Sequence, residues 1–378
     1  MLTKTTMATI LIVDDDLVIR YFLETLLRKE GYTVVSAANG REALACMEHQ
    51  WCDLVLMDIL MPVLDGYQTT RQIKIKEPQE RFIPVIFLTS AQSDDELARC
   101  LECGGDDFLT KPPNSTILKA RIRSWLQRAE LTNKLVQDRE DVENVILKLR
   151  HDDQFDHRGL RVLVTPLEST NGDLVLSARR DDGIHHVLVG DFTGHGLAAA
   201  ICGPLVADIF YRLTRQGVSL DTILSQINET IFRRLPTHMF LAAAFLELDR
   251  RNNKMRLWNA SLPVGTLFRS GRSIDQFPSC FPPLGIGRRL TGLDACTHHH
   301  LEEEDRIYLF SDGIVETRSP THEFFGEERL ISFLERLTTP DMPLTALLPI
   351  LEEFRAGKQP TDDVTLVEVN VSPRRPAD

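Results

Sequence analysis

The sequence predicts three parts in succession: an α/β domain with a doubly wound parallel sheet, a long helical linker, and an α+β domain built as a β-sandwich. Over roughly the first 120 residues, buried-strand patterns alternate with amphipathic helix patterns, which is typical of a parallel sheet covered by helices on both faces. Residues 115–150 contain neither Gly nor Pro, so they favour one uninterrupted helix. After residue 158, strand patterns follow one another with long helices inserted, as in antiparallel sheets packed with helices.

We place the domain boundaries at residues 1–122, 123–157 and 158–378. The length of 378 residues allows each globular domain its own core, and 43% hydrophobic and 26% charged residues are ordinary globular values. The net charge of −12 lacks the basic footprint of nucleic-acid binders, so no nucleic-acid partner is expected. The sequence contains neither an 18-residue apolar run nor an apolar leader near its start, so we expect no membrane span and no signal peptide.

The seven cysteines fit a reduced, cytoplasmic chain better than a disulfide framework. Cys100 and Cys103 have the spacing of a CxxC pair, but no second pair accompanies them and they lie in a helical pattern, which argues against zinc or redox use. Cys296 and the histidines at 298–300 precede the acidic run 302–305. We interpret that segment as a solvated loop.

In the N-terminal domain, polar residues follow the predicted strands. The strands are predicted at Ala8–Val13, Thr33–Ala37, Leu54–Met57, Pro84–Leu88 and Asp107–Leu109. The polar residues near their ends are Asp14, Asp15, Asp58, Thr89 and Lys111. Because the carboxyl ends of parallel strands meet at one edge, these side chains should cluster. Three carboxylates together suit Mg²⁺, and a hydroxyl and an ammonium opposite them can hold a phosphorylated carboxylate.

This arrangement resembles the CheY-like receiver domain of bacterial response regulators over residues 8–122. The matching segments are Val13–Asp15, Met57–Pro62 with Asp65-Gly66, Leu88–Ser90 and Lys111-Pro112. The resemblance implies that Asp58 is the phosphoacceptor. It implies Mg²⁺ ligands from Asp14, Asp15 and the Leu60 carbonyl, and switch residues Thr89, Phe108 and Lys111. The family has an aromatic residue after Lys-Pro, whereas Pro113 stands here, a departure that affects the loop rather than the chemistry.

The predicted linker helix carries apolar residues at intervals of seven. One series contains Leu131 and Val145, and a second contains Leu135, Val142 and Leu149. Asp138 and Arg128 interrupt the two series, so the seam is imperfect. The pattern favours a parallel dimeric coiled coil that carries a signal between domains, and the alternative is a helix that packs against its own domains.

In the C-terminal domain the predicted strands are Leu160–Leu167, Asp173–Ala178, His185–Val189, Ala242–Leu248, Lys254–Asn259, Thr266–Arg269, Asp305–Phe310 and Val364–Val369. The predicted helices are Leu197–Arg215, Leu220–Arg234, Glu327–Leu337 and Leu344–Phe354. Four aspartates lie at or near strand ends: Asp173, Asp191, Asp312 and Asp362. Carboxylates that converge on one site repel each other, so a site built from them would need hard cations such as Mg²⁺ or Mn²⁺ to cancel the repulsion.

This domain resembles the SpoIIE-like branch of the metal-dependent protein serine/threonine phosphatases, the PPM class. The motifs, in order, are Asn171–Asp173, Val189–Gly196, Pro283–Ile286, Ser311–Thr317 with Phe325–Leu330, and Thr361–Thr365. The resemblance implies that Asp191 bridges two metals. It also implies that the Phe192 carbonyl is a ligand, that Asp173 binds one metal, and that Asp312 and Asp362 bind the other. Asp363 and His195 are less favoured candidates for the site.

Two segments depart from this family's pattern. Asn171 replaces the first Gly of Gly-Gly-Asp, and Asn259–Leu262 stands where the family often has Asn-Ala-Gly-His. Neither change removes a metal aspartate. Because all four aspartates are present, we interpret the domain as an active phosphatase.

The two resemblances together indicate a two-component response regulator with a phosphatase output. A histidine kinase or phosphotransfer protein would phosphorylate Asp58, and the output would dephosphorylate a phosphoserine or phosphothreonine protein, by resemblance a STAS-type anti-sigma factor antagonist. A homodimer is expected through the linker. The alternative is a non-enzymatic adaptor that binds a sigma factor or its regulator, as in RssB-like proteins with degenerate phosphatase domains. A DNA-binding regulator is disfavoured by the acidic charge.

Overall fold

The protein is described by a computed structural model over residues 8–76, 81–90, 94–149, 152–167, 170–194, 196–290, 296–337 and 342–371. The chain divides into two compact units, residues 1–142 and 143–378. The domain boundaries that we placed from the sequence at 122/123 and 157/158 remain predictions.

The first unit contains a five-stranded parallel sheet. Its strands are β1 (Thr9–Val13), β2 (Thr33–Ala37), β3 (Leu54–Asp58), β4 (Val85–Thr89) and β5 (Asp107–Thr110), in the order β2-β1-β3-β4-β5. Its helices are α1 (Leu17–Lys29), α2 (Gly40–His49), α3 (Gly66–Lys76), α4 (Asp94–Glu102) and the start of α5 (Ser115–Lys148). All residues of β3 and β4 are buried because helices cover both faces of the sheet. The predicted doubly wound α/β fold is therefore confirmed.

Helix α5 is one continuous helix of 34 residues, and it runs through the division between the two units. The Asn114 side chain caps its first turn by accepting hydrogen bonds from the backbone N–H groups of Thr116 (2.9 Å) and Ile117 (3.2 Å). The helix confirms the uninterrupted helical stretch that the absence of Gly and Pro predicted.

The second unit contains two five-stranded antiparallel sheets. The strands are β6 (Leu160–Thr165), β7 (Asp173–Arg179), β8 (His185–Phe192), β9 (Leu241–Asp249), β10 (Lys254–Ala260), β11 (Gly265–Arg269), β12 (Arg272–Phe277), β13 (Thr297–His300), β14 (Arg306–Phe310) and β15 (Val364–Asn370). The sheet orders are β13-β10-β9-β8-β7 and β12-β11-β14-β15-β6. The helices are α6 (Leu197–Ala200), α7 (Gly203–Arg215), α8 (Leu220–Arg234), α9 (Asp312–Val315), α10 (Gly326–Arg336) and α11 (Leu347–Arg355).

Three buried clusters show how these elements are layered. One cluster joins the inner faces of both sheets and includes Val189 and Val367. A second joins the β7–β10 sheet to α7 and α8, and a third joins the other sheet to α10 and α11. The predicted α+β sandwich is therefore confirmed, with helices on the two outer faces.

Four predictions of local structure were wrong. The segment Thr297–His300 is a strand and not a solvated loop, because its backbone pairs with the edge of β10 despite its polar side chains. The helix expected over Leu197–Arg215 is broken into α6 and α7, because Pro204 has no N–H to donate within a continuous helix. Strand β6 ends at Thr165, before Pro166. Strand β12 was missed, although Ser270-Gly271 (φ 48° and 78°) is a hairpin-turn signal.

By length and composition, Leu197–Arg215 is the one stretch in the described ranges that is apolar enough to cross a membrane. Half of its most apolar window is buried inside the protein, and its buried residues include Val206 and Phe210 in the cluster shared with the sheet. These are the features of a core helix.

The segment after α5 is anchored to the sheet through Asp156. The backbone N–H of Asp156 donates to Ser177 O (2.9 Å), and Ser177 Oγ donates to Asp156 O (2.7 Å). Arg158 and Arg179 both bind the Asp156 carboxylate. His185 Nε2 lies 2.8 Å from Ser177 Oγ, and the His185 side chain is fully buried. This burial, together with the charge of Arg179, lowers the pKa of His185 to about 3.

We predict that His185 makes the folded state sensitive to acid. Unfolded histidine has a pKa of about 6.5, so between pH 6.5 and about 3 the unfolded chain binds a proton that the native chain does not. The contribution of His185 to stability is therefore complete above pH 6.5 and is lost as the pH falls, by about 1.4 kcal/mol per pH unit. Urea unfolding at pH 7.5 and pH 5 should show a smaller loss of stability in His185→Gln than in the wild type.

The matched control is His238→Gln, which changes an exposed histidine of the same unit. It should leave the pH dependence of unfolding as in the wild type. Parallel pH profiles for the wild type and His185→Gln would contradict the assignment.

Candidate functional site

Three carboxylates meet at the carboxyl edge of the parallel sheet. Asp14 directly follows β1, and Asp58 ends the neighbouring strand β3. Asp14, Asp15 and Asp58 each offer one ligand oxygen, and these oxygens all lie within 4.8 Å of one another. Asp14 and Asp58 are buried, whereas Asp15 is exposed. An all-oxygen set of this size fits Mg²⁺.

Lys111 supplies the positive charge at this edge. Its Nζ lies 2.7 Å from Asp14 Oδ2 and 2.8 Å from Asp58 Oδ2. Its backbone N–H donates to Thr89 O (2.7 Å), which fixes the loop after β5 against the end of β4. Burial alone would lower the pKa of Lys111, but the hydrogen bonds to Asp14 and Asp58 raise it. Burial raises the pKa of Asp58, and its bond to Lys111 opposes this rise.

The remaining predicted receiver residues lie around this edge. Thr89 is buried at the end of β4, the strand next to β3. Phe108 is half-buried on β5 and packs against the core. Leu60 is exposed on the loop two residues after Asp58. The roles of these residues, including the Leu60 carbonyl, remain predictions.

Gly66 allows the loop after Asp58 to fold back tightly. Its N–H donates to Ile59 O (2.9 Å), and a Cβ at position 66 would lie only 2.1 Å from Asp58 O. Any side chain there would displace the backbone that carries Asp58. The glycine of the Asp65-Gly66 motif is thus explained by the close approach of the backbone at position 66 to that of Asp58.

The four aspartates predicted for the phosphatase site also come together. Asp173, the first residue of β7, pairs directly with Asp191 near the end of β8. Asp312 begins α9 after β14, and Asp362 precedes β15. Burial raises the pKa of Asp191 to about 9, with further upward contributions from the negative charges of Asp173, Asp312, Asp362 and Asp363.

Burial acts in the same direction on two more of these aspartates. Burial raises the pKa of Asp173 to about 7, and it also raises the pKa of Asp312. In the described ranges, no three of these carboxylates gather as tightly as the receiver set. The ligands on offer are all carboxylate oxygens, which hard cations such as Mg²⁺ and Mn²⁺ prefer, and such cations would offset the charge gathered here.

Asp362 and Asp363 differ in their surroundings. Both carboxylate oxygens of Asp363 accept backbone hydrogen bonds, Oδ1 from Leu167 N (2.7 Å) and Oδ2 from Gly172 N (2.7 Å). Asp363 therefore braces the segment that leads into Asp173. Gly313 lets α9 begin against this turn, because a Cβ there would lie 1.9 Å from Asp363 O.

Sequence reasoning did not single out Ser311 or the bracing role of Asp363. Ser311 Oγ donates to Asp173 Oδ2 (2.8 Å) and thereby orients that carboxylate. Both residues stand inside motifs that the sequence analysis had quoted, Ser311 in Ser-Asp-Gly and Asp363 in the Asp362-Asp363 pair. Their roles could not be predicted because their hydrogen bonds join segments that are far apart in the chain. Of the other predicted residues, Phe192 follows Asp191 with its ring in the core, and the role of its carbonyl remains a prediction.

His195 lies outside the described residues. Gly194 and Gly196, on either side of it, have positive φ angles of 87° and 73°, which explains the two glycines of the motif. At the Asn-Ala-Gly-His departure, Ser261 adopts φ 65°, a conformation that the family's Gly reaches without strain. The Asn259 amide donates to the carbonyl oxygens of Leu262, Pro263 and Phe277, so the turn is held in spite of the change.

Comparisons with known proteins agree with the two folds. A family model described as "Response regulator receiver domain" matches residues 10–123, and one described as "Stage II sporulation protein E (SpoIIE)" matches residues 181–372. The solved SiaA-PP2C domain of Pseudomonas aeruginosa covers 63% of this chain and 98% of its own, with a TM-score of 0.53. At 20% identity this likeness shows the fold alone.

Curated relatives match the N-terminal third. The "Probable transcriptional regulator ycf27" of Cyanophora paradoxa is 43% identical over 121 residues, which are 32% of this chain and 49% of the relative. The "Transcriptional regulatory protein AfsQ1" of Streptomyces coelicolor is 36% identical over 124 residues, 33% of this chain and 53% of the relative. The chain thus spans about half the length of these relatives. Because the SpoIIE match covers just over half of the chain, this protein belongs to the Stage II sporulation protein E (SpoIIE) family, and it carries a response regulator receiver domain ahead of its phosphatase-like domain.

Proposed function

We propose that this protein is a cytoplasmic response regulator in which phosphorylation of Asp58 controls a metal-dependent protein serine/threonine phosphatase. The observation that supports the enzyme most is the convergence of Asp173, Asp312 and Asp362 around Asp191, which retains the full aspartate set of the family motifs. A degenerate domain that acted purely as an adaptor would have no need to bury several carboxylates together against their electrostatic repulsion.

In the proposed site, each residue has a distinct task. The charges of the other aspartates all act on Asp191, so Asp191 would bind both cations, while Asp173 would bind one of them and Asp312 and Asp362 the other. Ser311 orients Asp173, and Asp363 holds the segment before it. When bound, Mg²⁺ or Mn²⁺ would neutralise phosphate charge and lower the pKa of a water. The substrate is proposed to be a phosphoserine or phosphothreonine protein, by family resemblance a STAS-type anti-sigma factor antagonist.

We predict that Asp191→Asn loses at least about 100-fold of Mn²⁺-dependent hydrolysis, because it removes the carboxylate shared by both cations. The measurement is hydrolysis of para-nitrophenyl phosphate and of a phosphoserine peptide by the full chain, with and without Mn²⁺. Asp181→Asn, at an exposed aspartate of the same unit, is the control and should keep full activity. Absence of hydrolysis by the wild type would favour the adaptor, and an unaffected Asp191→Asn would rule out the proposed site.

The receiver is proposed to take its phosphoryl group from a histidine kinase or phosphotransfer protein. Directly after Asp14–Asp16, helix α1 exposes a large apolar patch. Its residues are Leu17, Val18, Tyr21 and Phe22, which are 70%, 75%, 72% and 47% exposed. A contiguous exposed apolar surface of this kind marks a protein-binding site. Its position beside the carboxylate triad suits a protein phosphodonor.

We predict that Asp58→Asn abolishes phosphorylation by acetyl phosphate in the presence of Mg²⁺, because the amide cannot form the acyl phosphate. Mass spectrometry of the intact chain should show one added phosphoryl group in the wild type and none in the variant. Undiminished labelling of Asp58→Asn would move the acceptor to another residue.

Helix α5 supports a homodimer. The heptad residues Leu131, Leu135, Val142, Val145 and Leu149 are 59%, 70%, 40%, 56% and 49% exposed. Another face of α5 packs within the chain, since Ala129 and Ile146 are buried and Asn133 bonds the backbone of Phe82. The apolar side chains of the two heptad series are left uncovered, and this favours a second copy packed in parallel against them.

We predict that Leu135→Lys combined with Val142→Lys converts the dimer to a monomer in light scattering at about 10 µM, because two lysines at successive core positions would face their copies. Gln137→Lys, at an exposed position off the seam, should leave the mass unchanged. A dimer that survives the double substitution would place the interface elsewhere.

A further inference from the structure

A cavity of about 350 Å³ lies directly beside the proposed metal-binding carboxylates. Asp362 forms part of its wall, together with the segment after β6, helix α11 and the start of β15. Most of the lining is apolar and includes Leu167, Leu348 and Leu351. The site described so far gives this cavity no task.

The cavity and the carboxylate cluster share one turn. Asp362 borders the cavity, and the adjacent Asp363 accepts a hydrogen bond from the backbone N–H of Leu167 (2.7 Å), which also lines the cavity. Asp363 is nearly fully buried, so this wall is held by the same residue that braces the segment before Asp173. A ligand bound at Asp362 would therefore have a preformed apolar recess next to it.

The polar groups of the cavity indicate which part of a ligand would enter. Asp362 and Glu352 are acidic, and the guanidinium of Arg355 is already paired with Glu352. A phosphate is thus disfavoured inside the cavity, whereas an apolar group fits it. Arg355 Nε is itself buried without a hydrogen-bond partner in the described part of the chain, so the arginine adds no exposed anion-binding donor there through this atom.

We propose that this cavity is a specificity subsite of the phosphatase, and that it binds an apolar side chain within two residues of the phosphorylated serine or threonine. The proposal rests on the phosphatase function proposed above. A volume of about 350 Å³ is at the lower end for ligand pockets, so it suits one side chain of leucine or phenylalanine size rather than a folded element. Two residues of extended chain span at most about 7 Å. Because Asp362 belongs both to the proposed metal site and to the cavity wall, a side chain within two residues of the phosphoserine could enter the cavity.

The test uses phosphoserine peptides that differ only at one position, with Ala, Leu, Phe, Lys or Asp at each of the two residues before and after phosphoserine. With the full-length wild type and Mn²⁺, Leu or Phe should exceed Ala in kcat/KM by about 10- to 100-fold at one position, and Asp should be the poorest. A flat profile at all four positions would overturn the proposal.

Leu348→Glu places a carboxylate in the cavity and should remove this preference while hydrolysis of para-nitrophenyl phosphate stays unchanged. Ile350→Glu is the matched control, because Ile350 is on the same helix, is also partly buried, and does not line the cavity. It should keep the wild-type profile. A preference that survives Leu348→Glu would overturn the proposal.

Leu348→Ala gives a second readout if the charged variant fails to fold. By enlarging the cavity, it should shift the preference from Leu towards Phe, and an unshifted profile counts against the subsite. Failure of the wild type to hydrolyse para-nitrophenyl phosphate would instead reject the proposed function itself, so the two failures are distinguishable.

Discussion

Carboxylates held together against their mutual repulsion are the constraint on which both units depend. Two unit charges about 4 Å apart repel by about 4 kcal/mol at an effective dielectric of about 20. The receiver carries its own counter-charge, because Lys111 lies within 3 Å of both Asp14 and Asp58. In the second unit, the strongest effects on Asp191 come from burial and from other carboxylates. Its counter-charge, under the proposed function, comes from cations in solution.

The two units meet this constraint with the same backbone device. In each, a glycine at or near the start of a helix lets that helix begin against a carbonyl of an acidic turn: Gly66 against Asp58, and Gly313 against Asp363. A Cβ would be about 2 Å from the carbonyl oxygen in either case. The main chain that carries these carboxylates is therefore fixed by close backbone approach, and side chains such as Ser311 and Lys111 then orient the carboxylates themselves.

Much of the fold and of the site could be predicted from the sequence because strand ends are local signals. Apolar runs that end at an aspartate were sufficient to place β1, β3 and β8. The order of the motifs then assigned aspartates from distant parts of the chain to one site. Part of what failed depends on partners far along the chain. The histidines of β13 form a strand only because β10 offers an edge, and the hydrogen bond from Ser311 to Asp173 joins residues 138 positions apart. The break at Pro204 was a local signal that helical periodicity outweighed.

Strand β7 is held at both ends by different parts of the second unit. Near its end, Ser177 and Arg179 hold Asp156 of the incoming segment, and at its beginning Asp173 faces Asp191. The stretch from Ser177 to Asp173 is extended chain within a sheet, at about 3.3 Å per residue, and it has little freedom to stretch or bend. The contacts of Asp156 and the pairing of Asp173 with Asp191 therefore lie on one short extended strand. Under the proposed function, a displacement of the incoming segment would be passed along that strand to a carboxylate of the proposed site.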